Sequence, residues 1–412
     1  MSRPEQAAIL CGGLGTRLRP LTDNLPKPMA PVNGRPFLAY LIQQLREQGI
    51  RRIVLMTGYR GDQIREHFGD GGSTGVAISY SHGPAEWETG RRIWEARDLL
   101  DPRFMLLYSD NYVPFSLDRL HAFHVERGTI VSLLVQAKAR ANVLLGERGI
   151  VDVYDPARTT AGAAFVEIGY MVAERDRLLA LMTGADVSFS ATLKRLAEEK
   201  ALAGFVQADP YHSISDLDRL RETERYLAHK RILLIDRDGT INARAPRAEY
   251  VTSWDQFHWV APTVDAMRQL AAEGFRFIVL SNQAGIARGM QKASEVEALN
   301  ARMREELARQ GIDIVAVYVC PHHWDDGCEC RKPSPGMFFQ ASADHQLRLN
   351  RTIYVGDDPR DSIAAYNAGC VGVLVGEDTV VNGDGQPERT ADTLPDLVPW
   401  LISRFQSWEA VP

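Results

Sequence analysis

Short runs of branched apolar residues recur along the chain, and between them lie longer stretches with apolar positions at helical spacing. In the first half the runs are "AAILC", "RIVLMTGY", "VAISY", "RFMLLYSD" and "TIVSLLVQ". A second series begins at "RILLIDRDG" and continues through "FRFIVLSN", "DIVAVYVC", "TIYVGDD" and "CVGVLVG". Val-, Ile- and Leu-rich runs of this length read as strands buried on both faces, and their alternation with amphipathic segments predicts parallel sheets covered by helices. Between the two series lies "SDLDRLRETERYLAHKR", with Leu217, Leu220 and Tyr226 at helix-like spacing. It predicts a helix that closes one domain, so the expected division is 1–228 and 229–412, both α/β.

Composition narrows the class without naming a chemistry. A chain of 412 residues exceeds one ordinary core. Apolar residues make up 45% and charged residues 24%, as in water-soluble globular proteins. A net charge of -6 gives no overall attraction to nucleic acid or to an anionic membrane, so neither is an expected partner. No apolar run approaches the roughly 20 residues that span a bilayer. The start, "MSRPEQAAILCGG", is too short in apolar residues for a signal peptide. The expected location is cytoplasmic, and five cysteines fit a reduced compartment. Oligomeric state leaves no mark in the sequence.

In open parallel sheets ligands bind at the carboxyl ends of strands. Polar residues directly after the predicted strands are therefore candidates: Asp110, Asp236, Ser281 and Asp357. In "IDRDGTIN", Asp236 and Asp238 lie two residues apart, with Gly239 allowing a tight turn. Close carboxylates repel unless a cation sits between them, and Mg²⁺ is the usual hard-ligand solution beside phosphate. "VLSNQAG" offers Ser281 and Asn282, "CRKP" offers Lys332, and "YVGDDPRD" offers Asp357, Asp358 and Asp361. Together they make a phosphoryl-transfer site.

These four motifs, in this order, resemble the haloacid dehalogenase superfamily over about residues 230 to 380. The nearest likeness is to heptose 1,7-bisphosphate 7-phosphatases, through "DRDGTIN", "SNQAGIARG", "CPHH…CECRKPSPGM" and "VGDDPRDSIAAYNAG". The resemblance implies Asp236 as nucleophile and Asp238 as acid and base. It implies Ser281 and Lys332 on the phosphoryl oxygens, and Arg331 and Asn282 as substrate contacts. Mg²⁺ would be held by Asp236, the main-chain carbonyl of Asp238, and Asp357. Such phosphatases often carry Lys after the fourth-motif aspartate, where this chain has Asp358. Only one helix, "PTVDAMRQLAAEG", fits between the first two motifs, so the resemblance implies an uncapped site.

The stretch "CPHHWDDGCECRKP" packs Cys320, His322, Cys328 and Cys330 into eleven positions. Three thiolates and an imidazole form a structural zinc set with no place left for a reactive water. His323 is an adjacent candidate, and the family's spacing implies His322. Trp324 is expected to pack the loop, and Cys11 and Cys370 to pack near strand ends.

After the first strand comes "LCGGLGTRLRPLTDNLPKPMAPVNGRPFLAYLI". Gly12, Gly13 and Gly15 let backbone amides approach a triphosphate, and Arg17 and Lys27 place positive charge where pyrophosphate would leave. Gly-Gly-x-Gly-Thr-Arg-Leu with a following Lys-Pro-Met resembles sugar-phosphate nucleotidyltransferases, especially heptose 1-phosphate and mannose 1-phosphate guanylyltransferases, over residues 5 to 225. Asp110 matches the metal-binding aspartate of that family, there for Mg²⁺. Gly169 and Glu167 in "FVEIGYMV" match a strand that contacts the sugar. This chain departs from the family in three places. Ser213 stands at the second metal carboxylate, with Asp209 and Asp216 nearby. Glu88 replaces a small residue at the base-side segment, followed by Arg91 and Arg92. No Glu-Lys-Pro motif follows "RGIVDVYDPARTT".

The two resemblances imply two Rossmann-like domains with mostly parallel sheets and a bifunctional enzyme of nucleotide-activated heptose synthesis. Its expected ligands are sugar phosphates, Mg²⁺, structural Zn²⁺ and a nucleoside triphosphate, GTP ahead of ATP. Two alternatives stay open: a histidinol-phosphate-type phosphatase, and a first half that only binds sugar phosphate or nucleotide.

Overall fold

Alternate residues of a strand point to opposite faces, so a strand apolar at every position must be covered on both sides. The strand Gln6–Cys11 is buried throughout. Ala7, Ile9 and Cys11 enter one apolar cluster and Ala8 and Leu10 another. The strand Ile232–Ile235 does the same, with Leu233 and Ile235 on one face and Ile232 and Leu234 on the other. Each is the centre of a separate sheet. The computed structural model describes residues 2–182, 188–207, 209–246, 249–377 and 379–409. The chain divides into two units, Met1–Leu227 and Ala228–Val411.

The first unit carries a nine-stranded mixed sheet. Gln6–Cys11 pairs in parallel with Arg52–Thr57 and Arg103–Tyr108, and Ala77–His82 adds in parallel beyond Arg52–Thr57. The long strand Phe165–Glu174 then runs antiparallel to both Arg103–Tyr108 and Val131–Ala137. Leu202–Val206 returns parallel to Val131–Ala137, and Val143–Leu145 forms an antiparallel hairpin with Val151–Tyr154. The parallel expectation therefore describes the first four strands, and the later ones mix directions. The register of Phe165–Glu174 shifts between Glu167 and Met171. Gly169 sits in that shift at φ 83°, and a Cβ there would come within 2.5 Å of the Tyr108 ring. The closing helix is Leu217–Leu227, with Leu220 and Tyr226 buried and Leu217 38% exposed.

The second unit is a six-stranded sheet, parallel throughout. Its order is Ile314–Cys320, Arg276–Asn282, Ile232–Ile235, Ile353–Gly356, Val371–Val375 and Arg389–Ala391. Parallel strands end on one side, so Asp236, Ser281, Asn282, Cys320 and Asp357 collect at one edge. Among the described residues, the chain between Asp236 and Arg276 holds one α-helix, Ala261–Ala272, and one 3-10 turn, Trp254–Gln256.

Candidate active sites

In the second unit the strand ends surround a cavity of about 660 Å³. Asp236, Asp238, Ser281, Asn282, Arg331 and Lys332 all line it. Lys332 is the hub. Its ammonium, 4% exposed, lies 2.7 Å from Asp236 Oδ1 and 2.7 Å from Asp361 Oδ1. It also donates to the Leu280 carbonyl at 3.0 Å and the Tyr354 hydroxyl at 2.6 Å. Asp236 and Asp361 hold the buried lysine protonated and push its pKa up. Burial pushes the Asp236 carboxyl up to about 8, with Asp361 and Asp357 adding to the rise and Lys332 opposing it. Burial likewise pushes Asp357 up to about 6.

These shifts have one physical cause: three carboxylates share a poorly solvated space with one lysine. Oxygens of Asp236, Asp357 and Asp361 lie within 4.8 Å of one another. A hard oxygen set with surplus negative charge fits a divalent cation such as Mg²⁺. The carboxylate of Asp238 stands outside that group. Fully buried Arg237 grips it with Nε and NH2, each at 3.1 Å, and Asn242 and Gln283 donate to it at 3.0 and 2.6 Å. Only the main chain of Asp238 remains for a metal, and Asp361 joins the carboxylate set. Gly239, at φ 99°, is required here, because a Cβ would fall 1.8 Å from Asp357 Oδ2.

The Asn282 amide clasps the Lys332 backbone, donating to its carbonyl and accepting from its N–H, both at 3.1 Å. Asp358 caps the helix Pro359–Ala368 and forms a fork with Arg360 at 2.8 and 2.7 Å. Arg360, Arg244 and Arg288 also line the cavity, so cations surround it beyond Lys332. Trp324 departs from the expected loop packing. It is 55% exposed on the cavity wall, with His323 against one side and the Arg288 guanidinium 5.4 Å from its ring. The loop is too short to fold an indole beneath itself.

Beside this site, Cys320, His322, Cys328 and Cys330 bring their donor atoms within 4.8 Å of one another. The sulfur spacings are 3.7 Å for Cys320–Cys328 and 3.6 Å for Cys330–Cys328. His322 Nδ1 lies 3.7 Å from Cys320 Sγ and 3.2 Å from Cys330 Sγ. Four ligands about 2.3 Å from a common centre would have tetrahedral edges of about 3.8 Å, so the set fits zinc. All the cysteines are free thiols. His323 instead faces Asp325 at 3.4 Å. Cys11 and Cys370 are buried, at the end of one strand and just before another.

In the first unit the Gly-rich loop follows Gln6–Cys11. Gly15 adopts φ 64°, and its carbonyl accepts from the Thr22 hydroxyl at 2.8 Å. Gly13 is open, whereas Gly12 packs on a guanidinium: a Cβ there would lie 2.1 Å from Arg92 Cζ. Arg92 is buried and donates to the carbonyls of Thr57, Gly12, Pro84 and Ala85, at 2.8, 3.2, 2.7 and 3.2 Å. It staples the loop through backbone carbonyls, a role its sequence position does not reveal. Lys27 meets Asp110 at 2.6 Å, and Arg17 is exposed. Glu88 is exposed at the start of the helix Thr89–Glu95.

The strand His212–Ser213 pairs with Asn111–Tyr112, setting Ser213 opposite Asn111 and thus next to Asp110 along the ladder. Its hydroxyl faces Ser215 and Arg219, at 3.1 and 3.3 Å. Asp216 caps the closing helix through Arg219 N at 3.0 Å, and Asp209 accepts from Gln207 at 2.9 Å. Glu167 takes a hydrogen bond from Tyr154 at 3.3 Å on one oxygen, while the other is buried without a partner. Burial pushes its carboxyl up to about 7.

Comparisons with known proteins match separate parts of the chain. A nucleotidyl transferase family model matches residues 6–144, and a polynucleotide kinase 3 phosphatase family model matches residues 231–367. The D-glycero-beta-D-manno-heptose-1,7-bisphosphate 7-phosphatase of Pseudomonas putida is 38% identical over 176 residues, covering 42% of this chain and 99% of its own. The crystal structure of D,D-heptose 1.7-bisphosphate phosphatase from B. bronchiseptica, complexed with magnesium and phosphate, is 31% identical. It covers 42% of this chain and 98% of its own, with a TM-score of 0.38. HddC from Yersinia pseudotuberculosis is 20% identical, covering 54% and 100%, with a TM-score of 0.48.

Proposed function

We propose a bifunctional enzyme of nucleotide-activated heptose synthesis, starting from the fact that this chain belongs, through its second unit, to the D-glycero-beta-D-manno-heptose-1,7-bisphosphate 7-phosphatase family. It is a sugar-phosphate phosphatase joined to a nucleotidyltransferase unit. The observation that carries the phosphatase reading is the buried Lys332 between Asp236 and Asp361 at one end of a cavity that admits a sugar. In the proposed reaction a heptose 1,7-bisphosphate places its 7-phosphate against Lys332 and Ser281. A carboxylate oxygen of Asp236 attacks phosphorus, the bond to the sugar oxygen breaks, and Asp238 gives that oxygen its proton. Asp238 then takes a proton from water as the water attacks the aspartyl-phosphate, releasing phosphate and restoring Asp236. Mg²⁺, held by Asp236, Asp357, Asp361 and the main-chain carbonyl of Asp238, would neutralise charge on the transferring group.

For the first unit we read nucleotidyl transfer to the heptose 1-phosphate that the second unit produces. Arg17, Lys27 and the amides of Gly12, Gly13 and Gly15 would hold the triphosphate, and Asp110 a Mg²⁺ ion. Glu167 and Gly169 would border the sugar. An exposed carboxylate at Glu88 can accept from guanine N1 and N2, which favours GTP over ATP. Ser213 in place of a second carboxylate favours the competing reading, a unit that binds nucleotide or sugar phosphate without catalysis. One series of assays decides. Phosphate release from heptose 1,7-bisphosphate and from histidinol phosphate is measured for wild type and Asp236→Asn, then pyrophosphate release with heptose 1-phosphate and each nucleoside triphosphate. Release from the heptose ester alone, lost in Asp236→Asn, is expected. Preference for histidinol phosphate overturns the substrate, and no pyrophosphate with any nucleotide overturns the transferase.

A further inference from the structure

Hydrogen-bond donors surround the carboxylate of Asp238. Arg237 and Asn242 reach Oδ1 at 3.1 and 3.0 Å, and Arg237 and Gln283 reach Oδ2 at 3.1 and 2.6 Å. The Gln283 NH2 also donates to Ser281 Oγ at 2.8 Å, and Ser281 Oγ in turn donates to Oδ2 at 3.4 Å. A carboxamide has unlike ends: its nitrogen only donates and its oxygen only accepts. Which end of Gln283 faces Asp238 therefore matters. Gln283 is 1% exposed, so water does not hold its oxygen. Gln291 does, donating from Nε2 to Gln283 Oε1 at 2.8 Å.

Gln291 is itself buried, and its own oxygen has no hydrogen-bond partner. That buried carbonyl carries a desolvation cost. The opposite orientation would set two carbonyl oxygens against each other and release Gln283. The Gln291 amide packs against Gly285, where a Cβ would come 3.0 Å from its Cδ, and the hydrogen bond to Gln283 sets which end faces inward.

We propose that Gln291 is a positioning residue of the phosphatase site, locking Gln283 with its NH2 toward Asp238. With the lock in place, every protein group bonded to Asp238 among the described residues donates to it. A proton on Asp238 then meets no carbonyl behind it, and the hydroxyl within its reach, Ser281, itself lines the cavity, so the proton is kept on the cavity side, toward the leaving oxygen. Without Gln291, Gln283 is free to turn its carbonyl to Asp238 and draw that proton inward. The inference rests on the phosphatase reading above, with Asp238 as the acid.

The test exploits leaving groups. A sugar alkoxide needs a proton to depart, whereas 4-nitrophenolate departs without one. Gln291→Met keeps the shape and removes the donor, and Gln291→Glu puts an acceptor against Gln283. Each is compared with wild type on heptose 1,7-bisphosphate and on 4-nitrophenyl phosphate, with thermal midpoints alongside. The lock predicts kcat on the sugar ester lower by about tenfold, KM unchanged, and kcat on the nitrophenyl ester within about twofold. Equal losses on both esters, or no loss on either, overturns it. If wild type cleaves glycerol 3-phosphate but not the heptose ester, the heptose reading fails and the same comparison decides the lock on glycerol 3-phosphate.

Discussion

Lys332 concentrates the energetics of the second unit in one side chain. An ammonium has three protons, and four acceptors stand within 3.0 Å of it: Asp236, Asp361, the Leu280 carbonyl and the Tyr354 hydroxyl. Removing the cation would leave buried carboxylates uncompensated, which costs about 3–5 kcal/mol. Lys332→Met is therefore expected to lower stability by that amount in urea titration and to reduce phosphatase kcat by at least about a hundredfold. Lys332→Arg should rescue neither, because a planar fork does not match this arrangement of acceptors. Retained activity in Lys332→Arg would refute the geometry. Glu167 makes a second prediction. Its folded pKa, pushed up to about 7 by burial, exceeds the ordinary carboxylate value, so the native state holds a proton that the unfolded chain has lost. Stability is then present at low pH and declines as pH rises from about 4.5 toward 7. Glu167→Gln should flatten that slope, raising the thermal midpoint at pH 8 more than at pH 5; equal shifts at both would contradict the assignment. Asp236, Lys332 and the zinc-type cysteines were legible because their spacing is chemical. Arg237, Gln283 and Tyr354 were not, since a charged or polar residue beside a motif gives no sign of being buried until its neighbours are placed.

Among the elements, the loop from Cys320 to Lys332 joins a metal-type cluster to the buried ammonium of the candidate site. Cys330 precedes Lys332 by two residues, and the Asn282 amide clasps the Lys332 backbone from the neighbouring strand end. Zinc would fix one end of the loop and Asn282 the other. Removing zinc with a chelator, or substituting Cys330→Ser, should lower phosphatase activity by about tenfold through displacement of Lys332, with metal content measured in parallel. Full activity in zinc-free protein would show that Asn282 suffices. The same element logic explains what the hydrophobic pattern conveyed. Runs such as "ILLI" and "RFIVLSN" mark buried strands and place Asp236 and Ser281 at their ends. Strand direction has no such signature: Phe165–Glu174 is as apolar as its parallel neighbours yet runs against them. The hairpin of Val143–Leu145 and Val151–Tyr154 consists of strands too short for a period to emerge.

At the scale of the whole molecule, each unit has its own sheet, its own cores and its own candidate site, and the boundary between 227 and 228 follows the closing helix. Among the described residues no helix is long and apolar enough to cross a membrane. On the proposed reading, two sites on one chain imply separable chemistry linked by a diffusible product. Asp236→Asn should abolish phosphate release while leaving pyrophosphate release from heptose 1-phosphate and GTP intact, and Lys27→Ala should do the reverse. Covalent linkage raises the local concentration of the second site around the first without adding any contact. An equimolar mixture of the two variants should therefore form nucleotide sugar from heptose 1,7-bisphosphate and GTP, reaching the wild-type steady rate after a longer lag. The measurement is a time course of nucleotide-sugar formation at several protein concentrations, with the lag shortening as concentration rises. A mixture that never forms product would mean that the heptose 1-phosphate does not pass through solution, and the two units would then have to be treated as one catalytic body.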